Sequence, residues 1–217
     1  MVSEMLNGSA DPAKASAMAA YMKTDMPFFG VQKKDRLPVT RAARDEFPPS
    51  SETEYTDAVA GLWVLPHREE KYIAVAYARA FDDYVGIPTM PLFRRLIIEG
   101  AWWDLVDEIA TKLVGRTLEK DRREATPAIR SWIRDENLWI RRTSIICQLG
   151  HKGDTDTELL SDACVYNLAD TDFFIRKAVG WALREYAKTD ADWVRRFAVE
   201  HRDRLSALSY REATKHL

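Results

Sequence analysis

Residues 172–188 read DFFIRKAVGWALREYAK. At about 100° per residue, Ile175, Val179, Ala182, Leu183 and Tyr186 fall on one side of a helix. Lys177, Trp181, Arg184 and Lys188 gather on the other side, within about 60° of one another. Period-two alternation is hard to find anywhere in the chain, whereas the helical period runs outward from this segment in both directions. Candidate helices are 11–24, 35–46, 52–64, 68–84, 89–98, 102–114, 122–134, 137–150, 155–169, 172–188, 190–199 and 206–216. Pro27 with Gly30, Pro48-Pro49, Pro66, Gly86 with Pro88, Gly100 and Gly115 mark the breaks. Asp135 and Asp170 read as N-caps or their neighbours.

Short helices joined by short connections suggest stacked hairpins. From Ser51 onward the pairs recur about every 35 to 40 residues, near the HEAT-like period, with no strong literal self-similarity. The expected fold is therefore all-α, an α-α superhelix of the HEAT-like solenoid kind with a concave face, formed as one domain over residues 1–217. A compact helical bundle is the competing architecture. Only nine Gly and nine Pro interrupt 217 residues, which agrees with a helix-rich chain. Cys147 and Cys164 are too few for a disulfide scaffold and suit a reducing cytoplasm. No stretch is apolar for the roughly 18 residues that a membrane span needs, and the N-terminus lacks a signal-peptide pattern. His67, His151, His201 and His216 are scattered, so no metal site is expected.

Three helices carry charges that a plain amphipathic reading does not place. In 137–150, Arg142 lands near 40° on the wheel, inside the arc of Leu138, Trp139, Ile145, Ile146 and Leu149. It ion-pairs within the core, snorkels its head out along the helix, or points into a cleft and holds an anion. In 172–188, Trp181 stands among Lys177, Arg184 and Lys188. This is either a surface cation–π contact or a basic, aromatic strip for a nucleic-acid backbone. In 102–114, Trp102, Val106, Ile109 and Leu113 make a core face, with Trp103 and Asp107 one turn apart at its edge. A carboxylate beside an indole is either ordinary packing or a device that stabilises a positive charge.

At these residues the sequence resembles the AlkD-like DNA alkylation repair family of HEAT-like repeat glycosylases. The resemblance rests on AAYMKTDMPFFGVQ (19–32), EGAWWDLVDEIA (99–110), DENLWIRRTSIICQLGHK (135–152), DFFIRKAVGWALREYAKT (172–189) and LSYREATKH (208–216). It implies duplex DNA on the concave face and hydrolysis of the N-glycosidic bond of cationic alkylpurines, 3-methyladenine and 7-methylguanine, without obligatory base flipping. Asp107 is then the catalytic carboxylate, Trp103 and Trp181 pack on the deoxyribose, and Arg142 grips nearby backbone. Tyr21, Gln32, Lys33, Lys34, Arg36, Lys177, Arg184 and Lys188 become DNA contacts. The resemblance further implies no cofactor, no membrane or protein partner, a monomer, and a bacterial, cytoplasmic setting at the nucleoid. Many members read G-I-x-x-P-x-R-R where this chain has GVQKKDRL (30–37). Arg36 remains, while Lys34 and Leu37 replace the usual Pro and Arg.

The formal charge of -2 comes from 32 basic and 34 acidic residues, which excludes a chain that is basic all over. From Phe173 to Lys215, however, ten basic residues face six acidic ones, a local balance of +4. Two other readings stay open beside the glycosylase: a non-catalytic binder of damaged or branched DNA, and a solenoid that binds protein. A member specialised for bulky alkyl adducts is a variant of the first reading.

Overall fold

The computed structural model describes all residues, 1–217. Helices supply its entire regular structure, with no strand, so the all-α expectation holds. The chain divides into two compact units, Met1–Val85 and Gly86–Leu217.

The first unit contains α1 (Val2–Gly8), α2 (Pro12–Met22), α3 (Lys33–Glu46), α4 (Glu52–Trp63) and α5 (Arg68–Ala80), then a 3-10 turn at Asp82–Tyr84. The sequence reading missed α1 and ran α5 on to residue 84. The helix stops at Ala80 because Phe81 leaves helical dihedrals, at φ -111° and ψ 65°. α5 packs against α3 and α4, and Tyr55, Val59, Ile73 and Tyr77 are buried between them. The break at Pro27 and Gly30 is a built turn. The fully buried Glu69 accepts the amide N–H groups of Phe29 (3.1 Å), Gly30 (2.8 Å) and Val31 (3.0 Å). Gly30 has φ +86°, and a Cβ there would stand 2.1 Å from the Asp11 carbonyl oxygen. Both facts demand glycine.

The second unit opens with a 3-10 turn at Ile87–Thr89, followed by α6 (Met90–Gly100) and α7 (Trp103–Ile109). A π-helical segment, Ala110–Val114, joins α7 without a break to α8 (Gly115–Lys120). Then come α9 (Arg122–Trp132), α10 (Leu138–Ile146), a 3-10 turn at Lys152–Asp154, α11 (Thr157–Tyr166), α12 (Phe173–Ala187), α13 (Ala191–Glu200) and α14 (Ala207–Ala213). α10 packs on α7 and α12, and α12 on α14. No helix is long and apolar enough to cross a membrane.

Two expectations change here. Gly115 does not end a helix. A Cβ at Gly115 would lie 2.3 Å from the Cys147 carbonyl oxygen, so the glycine permits close approach instead of breaking the chain. The self-similarity is also stronger than it looked. Asn137 caps α10 through the amides of Trp139 and Ile140, and Asp172 caps α12 through those of Phe174 and Ile175. Two residues earlier, Asp135 and Asp170 each accept the N–H of the capping residue at 2.8 Å. Each also takes an arginine, Arg94 at 2.7 Å and Arg141 at 2.9 Å. The stretches DENLWIRR (135–142) and DTDFFIRK (170–177) thus align at a spacing of 35 residues. Carried through the unit, that spacing puts Asp107, Arg142, Lys177 and Glu212 in one register.

Candidate active site

Asp107 sits on the last turn of α7, and the Thr111 hydroxyl donates to its backbone carbonyl at 2.7 Å as the π segment begins. Its carboxylate faces α10. Arg142 grips it with both arms, Nε to Oδ1 and Nη2 to Oδ2, each at 2.8 Å. The third direction of the guanidinium, Nη1, donates to the Phe174 carbonyl of α12 at 2.6 Å. This planar fork suits a carboxylate, and it explains how a charge sits within an apolar arc. Of the readings open for Arg142, the ion pair is the one formed. The residue is only 3% exposed, and its fork is shared between Asp107 and the Phe174 carbonyl.

The pair leaves Asp107 usable. Its side chain is 18% exposed, and each oxygen accepts a single arginine bond although it has two acceptor directions. Burial, the largest cause, pushes the carboxyl above its ordinary value, against the hydrogen bonds and charge of Arg142. Asp104 and Glu108 push the same way as burial. The site therefore holds a carboxylate whose negative charge is poorly solvated and fixed in direction.

Aromatic side chains build the surroundings. Trp103, one turn before Asp107, is half-buried. Trp102, expected on the core face, is the N-cap of α7 and packs edge-on to Phe174, with ring centroids 5.1 Å apart. Trp139 completes the cluster, 5.9 Å from Trp102 and 4.9 Å from Phe174. Sequence reasoning placed Trp102 and Trp139 in apolar faces and gave Phe174 no role. The 35-residue match of Trp139 with Phe174 was the signal available.

The basic stripe of α12 is real, but its charges are engaged. Lys177 donates to Glu212 of α14 at 2.7 Å, and Arg184 pairs with the other oxygen of the same carboxylate. Lys188 pairs with Glu185 at 2.6 Å on its own helix. Trp181, between Lys177 and Arg184, is half-buried. Glu212 is held below the ordinary carboxyl value, first by its hydrogen bond from Lys177. Sequence reasoning counted Glu212 as charge and missed it as a partner.

In the first unit, Tyr21 in the last turn of α2 is 70% exposed. Gln32, the N-cap of α3, and Lys33 and Lys34 in its first turn are exposed as well. Arg36 turns inward instead. Its Nη1 donates to the Val31 carbonyl at 2.8 Å, and its guanidinium lies 4.4 Å from the centre of the Tyr72 ring. Leu37 is exposed.

A family model described as "DNA alkylation repair enzyme" matches residues 2–217. A solved structure described as a predicted DNA alkylation repair enzyme from Enterococcus faecalis is similar at 30% identity and a TM-score of 0.88. The match covers 96% of each chain. No curated protein matches.

Proposed function

Because this chain belongs to the DNA alkylation repair enzyme family, whose substrate is DNA, we propose that it is a DNA glycosylase for cationic N3- and N7-alkylpurines. The observation that carries this reading is Asp107, a partly covered carboxylate held by two bonds from Arg142 and one turn from Trp103.

The chemistry asks for few parts. An N-alkylated purine carries a positive charge, so it departs without an acid. The C1′–N bond breaks, its electron pair neutralises the purine, and positive charge develops on the deoxyribose. Asp107 supplies a fixed negative charge to that sugar in a poorly solvated place, where it acts more strongly than in water. Trp103 and Trp181 offer π-faces to the same cation. Water adds at C1′, and its proton passes to Asp107 and on to solvent. Arg142 is a positioning residue that keeps the carboxylate aimed and ionised. These steps call on no metal, nucleotide or redox group. Small lesions such as 3-methyladenine and 7-methylguanine are the proposed substrates, hydrolysed without obligatory extrusion of the base.

DNA is held by charge. In the second unit the proposed contacts are Lys177, Arg184 and Lys188. In the first they are Tyr21, Gln32, Lys33 and Lys34, with Arg36 bracing the start of α3. The protein works as a monomer on the nucleoid.

The test is release of 7-methylguanine from alkylated duplex by Asp107→Asn. The variant should be slower by about 10²- to 10³-fold with DNA binding kept. An unchanged release rate would falsify the assignment. Because the reactive form is the ionised one, wild-type release should decline toward acid pH over a window above 3.8, the ordinary Asp value that burial exceeds here.

A further inference from the structure

We infer that Glu212 is an internal competitor for the DNA backbone. Its carboxylate occupies Lys177 and Arg184 in the DNA-free protein, and phosphate groups must displace it to use those two cations. The inference rests on the proposed reading that DNA lies along α12.

Lys177 and Arg184 are seven residues apart on one face of α12, a rise of about 10.5 Å. A single carboxylate reaches both because α14 crosses α12 midway between them. At the crossing stands Gly180. A Cβ there would lie 2.5 Å from the Glu212 Cβ and 2.9 Å from the Ser209 carbonyl oxygen. α14 is also fixed at its start, where Ser206 caps it through the Ser209 amide at 3.0 Å. The Ser209 hydroxyl bonds the Arg176 carbonyl of α12 at 2.9 Å. Glu212 is therefore seated by backbone contact and aimed at the stripe. Its side chain is 14% exposed, against 38% for Lys177 and 22% for Arg184. The cations stay accessible to an incoming phosphate, and part-exposed pairs of this kind are weak enough to exchange. The carboxylate also repels phosphate directly. Both effects lower the affinity for any duplex, damaged or not.

The experiment is equilibrium binding of an undamaged duplex between about 50 and 200 mM salt. Glu212→Gln and Glu212→Ala are compared with wild type. The alanine variant keeps the Cβ that seats against Gly180, so the helix crossing is retained. Both variants should bind more tightly, with a log–log salt slope steeper by about one to two, since each released cation adds roughly 0.9. The gain should vanish when Lys177→Gln and Arg184→Gln are added. Salt slopes equal to wild type in both Glu212 variants overturn the inference. Two controls separate that failure from failure of the DNA reading. If Lys177→Gln/Arg184→Gln weakens binding in the wild-type background while the Glu212 variants gain nothing, the stripe meets DNA and only the competitor role falls. If the double variant changes nothing in either background, DNA does not lie along α12 and both fall.

Discussion

The second unit holds two acid–base clusters in the same register, and they behave oppositely. Asp107 and Arg142 join α7 to α10, while Glu212 with Lys177 and Arg184 joins α14 to α12. Each carboxylate has guanidinium or ammonium partners within hydrogen-bond reach. Yet the Asp107 carboxyl is raised above its ordinary value and the Glu212 carboxyl is lowered. The two side chains are similarly exposed, at 18% and 14%, so the charges around them make the difference. Burial is the largest single influence on Asp107, and Asp104 and Glu108 add to it against Arg142, whereas at Glu212 the bond from Lys177 outweighs burial. A cation beside a carboxylate therefore does not by itself set its state. The balance of burial against the surrounding charges does: Asp107 has one cation and two neighbouring carboxylates, Asp104 and Glu108, whereas Glu212 has two cations, Lys177 and Arg184.

Four substitutions probe that contrast. Arg142→Ala leaves a covered carboxylate unpaired and should cost about 3–5 kcal/mol in urea unfolding. A loss below about 1 kcal/mol would put the first cluster in the same class as an exposed pair. Gly180→Ala forces a methyl group against the Glu212 Cβ and the Ser209 carbonyl. It should cost about 1–3 kcal/mol and disturb the second cluster alone. Glu212→Gln should cost no more than about 1 kcal/mol near neutral pH, because Lys177 is well exposed. Its cost has a sign to check. A lowered carboxyl stabilises above its unfolded value and loses that contribution as pH falls. Thermal melts of wild type and Glu212→Gln should thus converge below pH 4.5. Asp107 runs the other way. A raised carboxyl contributes stability at low pH and loses it as pH rises through its folded value. Wild type should accordingly gain on Asp107→Asn as pH drops toward 3.8. Two curves of the same sign would erase the distinction between the clusters.

Most of the secondary structure was legible, and the failures have physical causes. Helices such as 52–64 and 172–188 stand within a residue or two of α4 and α12, because a 3.6-residue period writes itself into the spacing of apolar side chains. Gly115 was misread because a glycine that ends a helix and one that admits a neighbouring carbonyl look alike in one dimension. Arg142 was flagged as anomalous by its wheel position, but its partner lies 35 residues earlier. Glu212 was overlooked for a related reason. α14 spans only Ala207–Ala213, and nothing local marks one exposed-looking glutamate among many.

The amino-acid sequence by itself determined that the chain is helical, which faces are apolar, and that Trp103 and Asp107 share one edge of α7. These follow from dihedral geometry within a single helix, where neighbours three and four residues apart must meet. Only the tertiary structure decided which charges are paired. Arg142 went to Asp107, and Lys177 and Arg184 went to Glu212, because these partners lie on different helices. Their meeting depends on where one helix crosses another, and at Gly180 a missing side chain sets that crossing.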